Sequence, residues 1–357
     1  MRNRNARGRG AEAPAVDPSV VQPMSQVFSR EGGRWATQMM KKAFMEGRAL
    51  SSAALRTLDT LRHEDWKVFD EALVEEALIR LVGVADLQAA GLVKPVKNSL
   101  GKTVFGWEQA TFMDPAIVSM DGRAKSTNDR IEFSLNQNPL PITHKDFFLN
   151  LRQLEASRNS NEPLDTTQVR MAGRVVAEQA EKMLFQGGPT FGGLKTYGYT
   201  THPNRVTSVI YDSGKYWNDT SKTGASYLKD VLNAITALQA NRMYGPYWIY
   251  VPTDAGVVLD NDYNPGTANT ESIRSRLSKV DQVKAIRVAD QLPSHNVIVV
   301  QATMDVVCWV EGEPLQTVQW DEAGGFDLNF KAWQIAVPLI RSDAQGRSGV
   351  CHISATS

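Results

Sequence analysis

The sequence is short of the residues that build chemistry. Two cysteines among 357 residues, Cys308 and Cys351, can form neither a disulfide framework nor a zinc set, and so low a count suits a reducing cytosol. The five histidines, at positions 63, 144, 202, 295 and 352, show no HxH or HExxH spacing, so they mark no metal or acid–base centre. No apolar run approaches the ~20 residues of a membrane span. The N-terminal arginines are not followed by the apolar core of a secretory signal. Net charge is absent as well, with 39 basic and 39 acidic side chains. These absences leave no converging catalytic constellation, no cofactor and no membrane partner to expect.

The zero balance conceals an asymmetry. Residues 1–48 carry nine Arg and Lys against four acids, a net of +5, which leaves −5 for the remainder. A basic arm on an acidic body points to an anionic partner or to the body of a neighbour. Residues 1–24 are rich in Arg, Gly, Ala and Pro and have no periodicity, a composition that cannot order itself alone. Arg2, Arg4, Arg7 and Arg9 alternate there with small or polar residues. They fit a solubilising tail, an inward arm touching DNA by charge without sequence readout, or a clamp on an acidic neighbour.

The length implies two or more sub-domains. Weak helical text at 34–46 precedes a stronger helix at 62–82, where Trp66, Phe69, Leu73, Ala77 and Leu81 recur at three or four residues. Gly91 and Pro95 end that region. Residues 96–138 then break into short extended pieces between turn signals, and Ile131, Phe133 and Leu135 alternate with polar residues. This is a long two-stranded arm with few partners of its own, and such a ribbon needs another surface to lie on. A long helix follows, capped by Asp165 or Thr166, with Val169, Ala172, Val176, Ala180 and Met183 as its apolar stripe. Arg170, Arg174, Glu178, Glu181 and Lys182 fall largely off that stripe, and Gly187–Gly188–Pro189 stops the helix. A second helix is expected at 226–240, a buried strand at Tyr247–Val251, and a helix near 270–279. Strands at 297–301 and 306–310 follow, and the closing alternation runs from Phe326 to Leu339. Helices and strands interleave without βαβ spacing, so the fold class is α+β.

Several strings in this order resemble a known family. They are LRHEDWKVFDEAL (61–73), FGWEQA (105–110), LPITHKDFFLNLRQLE (140–155), AEKMLFQGG (180–188), GLKTYG (193–198), LKDVLNAITALQANRMYGPYWIYVP (228–252) and FDLNFKAWQIAVPLI (326–340). Together they resemble the major capsid proteins of tailed phages, the Hong Kong 97-type capsid fold, in the branch that includes encapsulin nanocompartment shells. The resemblance implies an N-terminal arm (1–50), an N-terminal helical segment (51–95) and an extension loop (96–140) reaching over a neighbour. It further implies a peripheral domain in two parts (141–225, with its spine helix, and 312–357) and an axial domain (226–311). Many copies would meet as pentamers and hexamers and close an icosahedral shell around phage double-stranded DNA. Portal, scaffold and decoration proteins would be further partners, and the virion capsid, assembled in the host cytoplasm, would be the location. An encapsulin shell around a cargo enzyme is the alternative. The long basic arm, the long extension loop and an insert at 199–225 favour the phage capsid. Ile131, Phe133 and Leu135 become candidate inter-subunit contacts of the loop. Arg2, Arg4, Arg7 and Arg9 become candidate contacts to DNA or the inner shell.

Other motifs dissolve on inspection. Gly101–Lys102–Thr103 lacks the earlier glycine of a phosphate loop, since Val96 stands there. Some capsids of this fold cross-link a loop lysine; Lys97, Lys102 and Lys125 lie in the right region, but no motif marks a partner. Asp260, Asp262, Asn264 and Glu271 match positions of a calcium loop, yet Pro265 replaces the glycine that the turn requires.

Overall fold

The computed structural model describes residues 71–77, 81–121, 123, 125, 130–150, 152, 166–265, 271–322 and 327–354. The N-terminal arm, with Arg2, Arg4, Arg7 and Arg9 and the helix expected at 34–46, lies outside the described residues. The chain divides into two compact units: residues 1–68, 148–164 and 320–329 form one, and residues 69–147, 165–319 and 330–357 the other. Of the first, the structure describes only the ends of three strands and Arg152.

Residues 71–77 are helical, with Leu73 and Ala77 buried as the periodicity requires; Trp66 and Phe69 lie outside the described residues. Helix α1 (Gly83–Ala89) and strand β1 (Val93–Pro95) follow, then β2 (Val104–Ala110), β3 (Phe133–Pro139) and β4 (Ile142–Asn150). The long helix α2 (Thr167–Gln186) buries Val169, Ala172, Val176, Ala180 and Met183, the whole expected stripe. Thr166 precedes it without a capping bond from its side chain, and Asp165 lies outside the described residues. Gly173 sits mid-helix because a Cβ there would come within 2.9 Å of the Leu73 carbonyl oxygen. The helix stops at Gly187, whose φ of 87° is costly for any other residue.

The short hairpin β5 (Thr190–Phe191) and β6 (Leu194–Lys195) leads to helix α3 (Gly224–Ala240) and strand β7 (Tyr247–Val251). Then come α4 (Thr253–Gly256), α5 (Ile273–Ser278), β8 (Val283–Val288), β9 (Val297–Gln301), β10 (Val307–Glu322), β11 (Asp327–Ile340) and β12 (Val350–Ile353). Helix α5 is shorter than the expected 270–279, because Ser272 caps it by accepting from the Ser275 N–H at 3.2 Å.

Two four-stranded sheets organise these elements, in the orders β1-β10-β11-β4 and β12-β9-β7-β8. In the second, β7 runs antiparallel to β9 and parallel to β8. Strand β7 is apolar at every position because both its faces are covered. Tyr247, Ile249 and Val251 join a core with Val231, Ile235 and Leu238 of α3. Trp248 and Tyr250 join another with Leu184 and Phe185 of α2, Val84 and Leu87 of α1, and Trp309 and Ile340. Residues 350–353 pair with β9 rather than with β10 or β11, because their apolar side chains complete the β7–β9 cores on both faces.

Candidate assembly surface

Among the described residues, the β2–β3 ribbon carries a group of exposed apolar side chains. Its strands are antiparallel, with Trp107 opposite Asn136 and Glu108 opposite Leu135. Period-two alternation gives each strand two faces. On one face Phe105 and Trp107 are half-buried against Leu140, Cys308, Val310, Trp333, Ile335, Val337 and Leu339. On the other, Phe133 is 67% exposed and Leu135 64%. Ile131, just before β3, is 38% exposed. All three candidate loop contacts therefore face away from the described chain. Phe112, Met113, Ile117, Val118 and Met120, between the strands, are exposed too. Isolated apolar side chains at a surface are ordinary, but a contiguous run on a two-stranded edge marks an interaction surface. The paired strands are tied to the body, however: Gln109 Nε2 donates to the Ser342 carbonyl oxygen at 3.1 Å and Asn138 Nδ2 to that of Pro338 at 3.0 Å. The expectation of few partners fails along these strands.

Chemistry is not gathered anywhere comparable. Among the described residues no cluster of three or more His, Cys, Asp or Glu could hold a metal. The calcium pattern is occupied otherwise: Asp260 pairs with Arg274 at 2.7 Å, and Glu271 with Lys279. Lys97, Lys102 and Lys125 are exposed. Cys308 and Cys351 are buried free thiols whose pKa values burial raises, that of Cys351 to about 12. His144 is exposed and His63 lies outside the described residues. His202 and His352 are buried, and both are pushed down to about 4 by burial and by the Arg205 charge. The neutral His352 ring accepts from Arg205 Nε on Nδ1 at 3.2 Å and meets Asn296 Oδ1 through Nε2 at 2.6 Å.

Two polar anchors escaped sequence reasoning. Glu181, assigned largely to the polar side of α2, is 1% exposed and accepts from the backbone N–H groups of Val82 (3.2 Å), Gly83 (2.6 Å) and Val84 (3.2 Å). It thereby ties the start of α1 to α2. Burial pushes its carboxyl up to about 7 against the pull of those amides, and the Asp86 charge adds to the rise. The second anchor fixes the 199–225 insert. Lys222 and Asp230 form a fully buried ion pair at 2.7 Å. Asp230 also accepts from Trp217 Nε1 (2.8 Å) and the Asp212 N–H (2.6 Å), while the Lys222 ammonium lies 5.2 and 5.4 Å from the Tyr211 and Tyr227 ring centres. Both buried charges are paired and hydrogen-bonded, the condition for keeping them inside.

A family of unknown function (DUF6260) matches residues 56–353. The chain belongs to this family. This DUF6260 protein is 26% identical, over 222 residues, to the type 1 encapsulin shell protein EncA of Myxococcus xanthus, covering 61% of this chain and 70% of that one. Its structure is similar to that of the virus-like particle from Pyrococcus furiosus, with a TM-score of 0.59, 14% identity and coverage of 82% of this chain and 98% of the other. It is similar also to the capsid of Myoviridae phage XM1, with a TM-score of 0.55, 13% identity and coverage of 76% and 91%. The fold of this DUF6260 member is the Hong Kong 97-type fold of phage capsids and encapsulin shells, as the resemblance implied.

Proposed function

We propose that this protein is a shell subunit whose copies close into an icosahedral capsid around phage double-stranded DNA. The observation that carries this reading is the β2–β3 ribbon: a subunit of this fold holds out an apolar face that its own described residues leave uncovered. In a closed symmetric assembly each ribbon is covered by the next copy. Ile131, Phe133 and Leu135 are its contacts. Residues 96–140 act as the extension loop, 141–225 with 312–357 as the peripheral domain, and 226–311 as the axial domain. Arg2, Arg4, Arg7 and Arg9 meet DNA or the inner shell, bound by counterion release without base readout. No reaction is catalysed, so copies of the chain are the principal partners.

The similarity to a type 1 encapsulin shell protein favours a second reading, a compartment enclosing a cargo enzyme. One preparation tests both. Negative-stain microscopy of the expressed full chain is expected to show closed shells, and a monomer at all concentrations would overturn either reading. Nuclease-treated native particles that retain double-stranded DNA establish the capsid; particles that retain a protein cargo and no DNA establish the compartment.

A further inference from the structure

The ribbon is tied to the body by a joint of side-chain amides spread along its paired strands, from Asn138 near the exit at Val104 and Pro139 to Gln109 near the outer end. Gln109 donates from Nε2 to the Ser342 carbonyl oxygen (3.1 Å) while its Oε1 accepts from Asn136 Nδ2 (2.6 Å). Asn138, itself buried, donates to the Pro338 carbonyl oxygen (3.0 Å). Three carboxamides from the two ribbon strands thus reach the end of β11 and the turn beyond it, two directly and one through Gln109. The body's side of the joint is stiff. Asp343 Oδ1 accepts from the backbone N–H groups of Gln345 and Arg347, and its Oδ2 meets Arg347 Nε at 2.6 Å. Asn204 Nδ2 donates to Ser342 Oγ at 2.9 Å, and the Arg347 guanidinium lies 5.4 Å from the Phe112 ring centre. Beside the joint opens a cleft of about 360 Å³, with Trp107 and Asn136 on the ribbon side and Tyr197, His202 and Asn204 on the body side. The packing of Phe105 and Trp107 holds the ribbon against the body, and the amide bonds add direction to that contact.

Resting on the shell-subunit reading, we propose that Gln109, Asn136 and Asn138 are positioning residues that fix the angle of the ribbon before any neighbour arrives. Hydrogen bonds suit that task. They are directional, whereas apolar contacts tolerate sliding and exposed ion pairs weaken with salt. A two-stranded ribbon has little stiffness of its own at its attachment. An arm held at its docking angle surrenders less orientational freedom on binding, so assembly is faster and its product more uniform.

The test is a double isosteric variant, Gln109→Glu with Asn138→Asp, which removes two donors and sets carboxylates against the Ser342 and Pro338 carbonyl oxygens. Spin labels are placed at Glu132→Cys on the ribbon and Lys284→Cys on the body, both exposed sites, while the native cysteines are buried. Pulsed electron spin resonance is recorded on the dilute, unassembled full chain. The parent is expected to give one narrow distance distribution and the double variant one at least twice as wide, with far-ultraviolet circular dichroism unchanged. The single variant Gln109→Ala, which adds no charge, should give an intermediate width. At assembly concentrations the double variant should yield fewer shells of mixed diameter. Equal widths in parent and variants, or a parent already broad, would overturn the joint. If the parent forms no shells, the shell-subunit reading fails, and the distance widths still decide whether the amides hold the ribbon.

Discussion

Replacing Glu181 by Gln should reverse part of the protein's response to pH. In the fold the carboxyl holds its proton up to about 7, whereas its ordinary value is 4.5. Between those values the folded chain carries a proton that the unfolded chain has released. Stability from this group is therefore fullest below pH 4.5 and falls as pH rises to 7, by on the order of 3 kcal/mol for a shift of this size. His202 and His352 act in the opposite direction. Both are kept neutral down to about 4 from an ordinary 6.5, so each removes stability as pH falls through that window. Their effect is common to wild type and variant and drops out of the difference. The carboxamide of the variant cannot titrate. The stability gap between variant and wild type should thus move by about 3 kcal/mol in the variant's favour from pH 4.5 to pH 8. Urea unfolding of the dilute full chain at several pH values measures it, as a relative midpoint shift of about 1 M for an m-value near 3 kcal/mol/M. Glu181→Ala also strips the acceptor from the N–H groups of Val82, Gly83 and Val84, and should cost roughly 2–5 kcal/mol, most at acid pH and least at pH 8, because alanine does not titrate either. Parallel pH curves for wild type and Glu181→Gln would refute the buried, proton-holding carboxyl.

Three other perturbations separate assembly from folding. Phe133→Asp with Leu135→Asp alters exposed side chains, so subunit melting should stay within about 0.5 kcal/mol of wild type while sedimentation shows loss of shells; normal particles would remove these residues from the interface. Lys222→Met leaves Asp230 buried without its cation and should cost about 3–5 kcal/mol by thermal unfolding, with part recovered on adding Asp230→Leu; an unchanged melt would mean that the pair does not anchor the insert. Gly173→Ala should destabilise by about 1–3 kcal/mol through overpacking against Leu73, although alanine favours a helix by about 1 kcal/mol, and a gain in stability would deny the close approach of the 71–77 helix.

What could be read from the sequence follows the range of each interaction. The stripe of α2 and the five apolar residues of β7 were legible because burial there imposes a local period or a local run. The ribbon was legible as alternation between turn signals. Glu181 was not, since its burial is imposed by α1, a helix distant in sequence, and a glutamate at that point looks like one more exposed charge. Lys222 and Asp230 likewise carry no local signal of burial, since Trp217, Tyr211 and Tyr227 close around them only in the fold. The position of β12 depends on pairing with β9, which no local pattern encodes. Asn136 and Asn138 fall in the polar half of their strand, and Gln109 follows Phe105 and Trp107 on the inward half of its own, where periodicity names no partner.

The placement of β12 also bears on the timing of synthesis. Its partner β9 leaves the ribosome well before residues 350–353, and the Val206 segment that bridges to Cys351 emerges earlier still. Both must wait, unsealed, for a late piece of the polypeptide. The cores on both faces of β7 and β9 are thus completed only after every residue of the exposed ribbon has been synthesised.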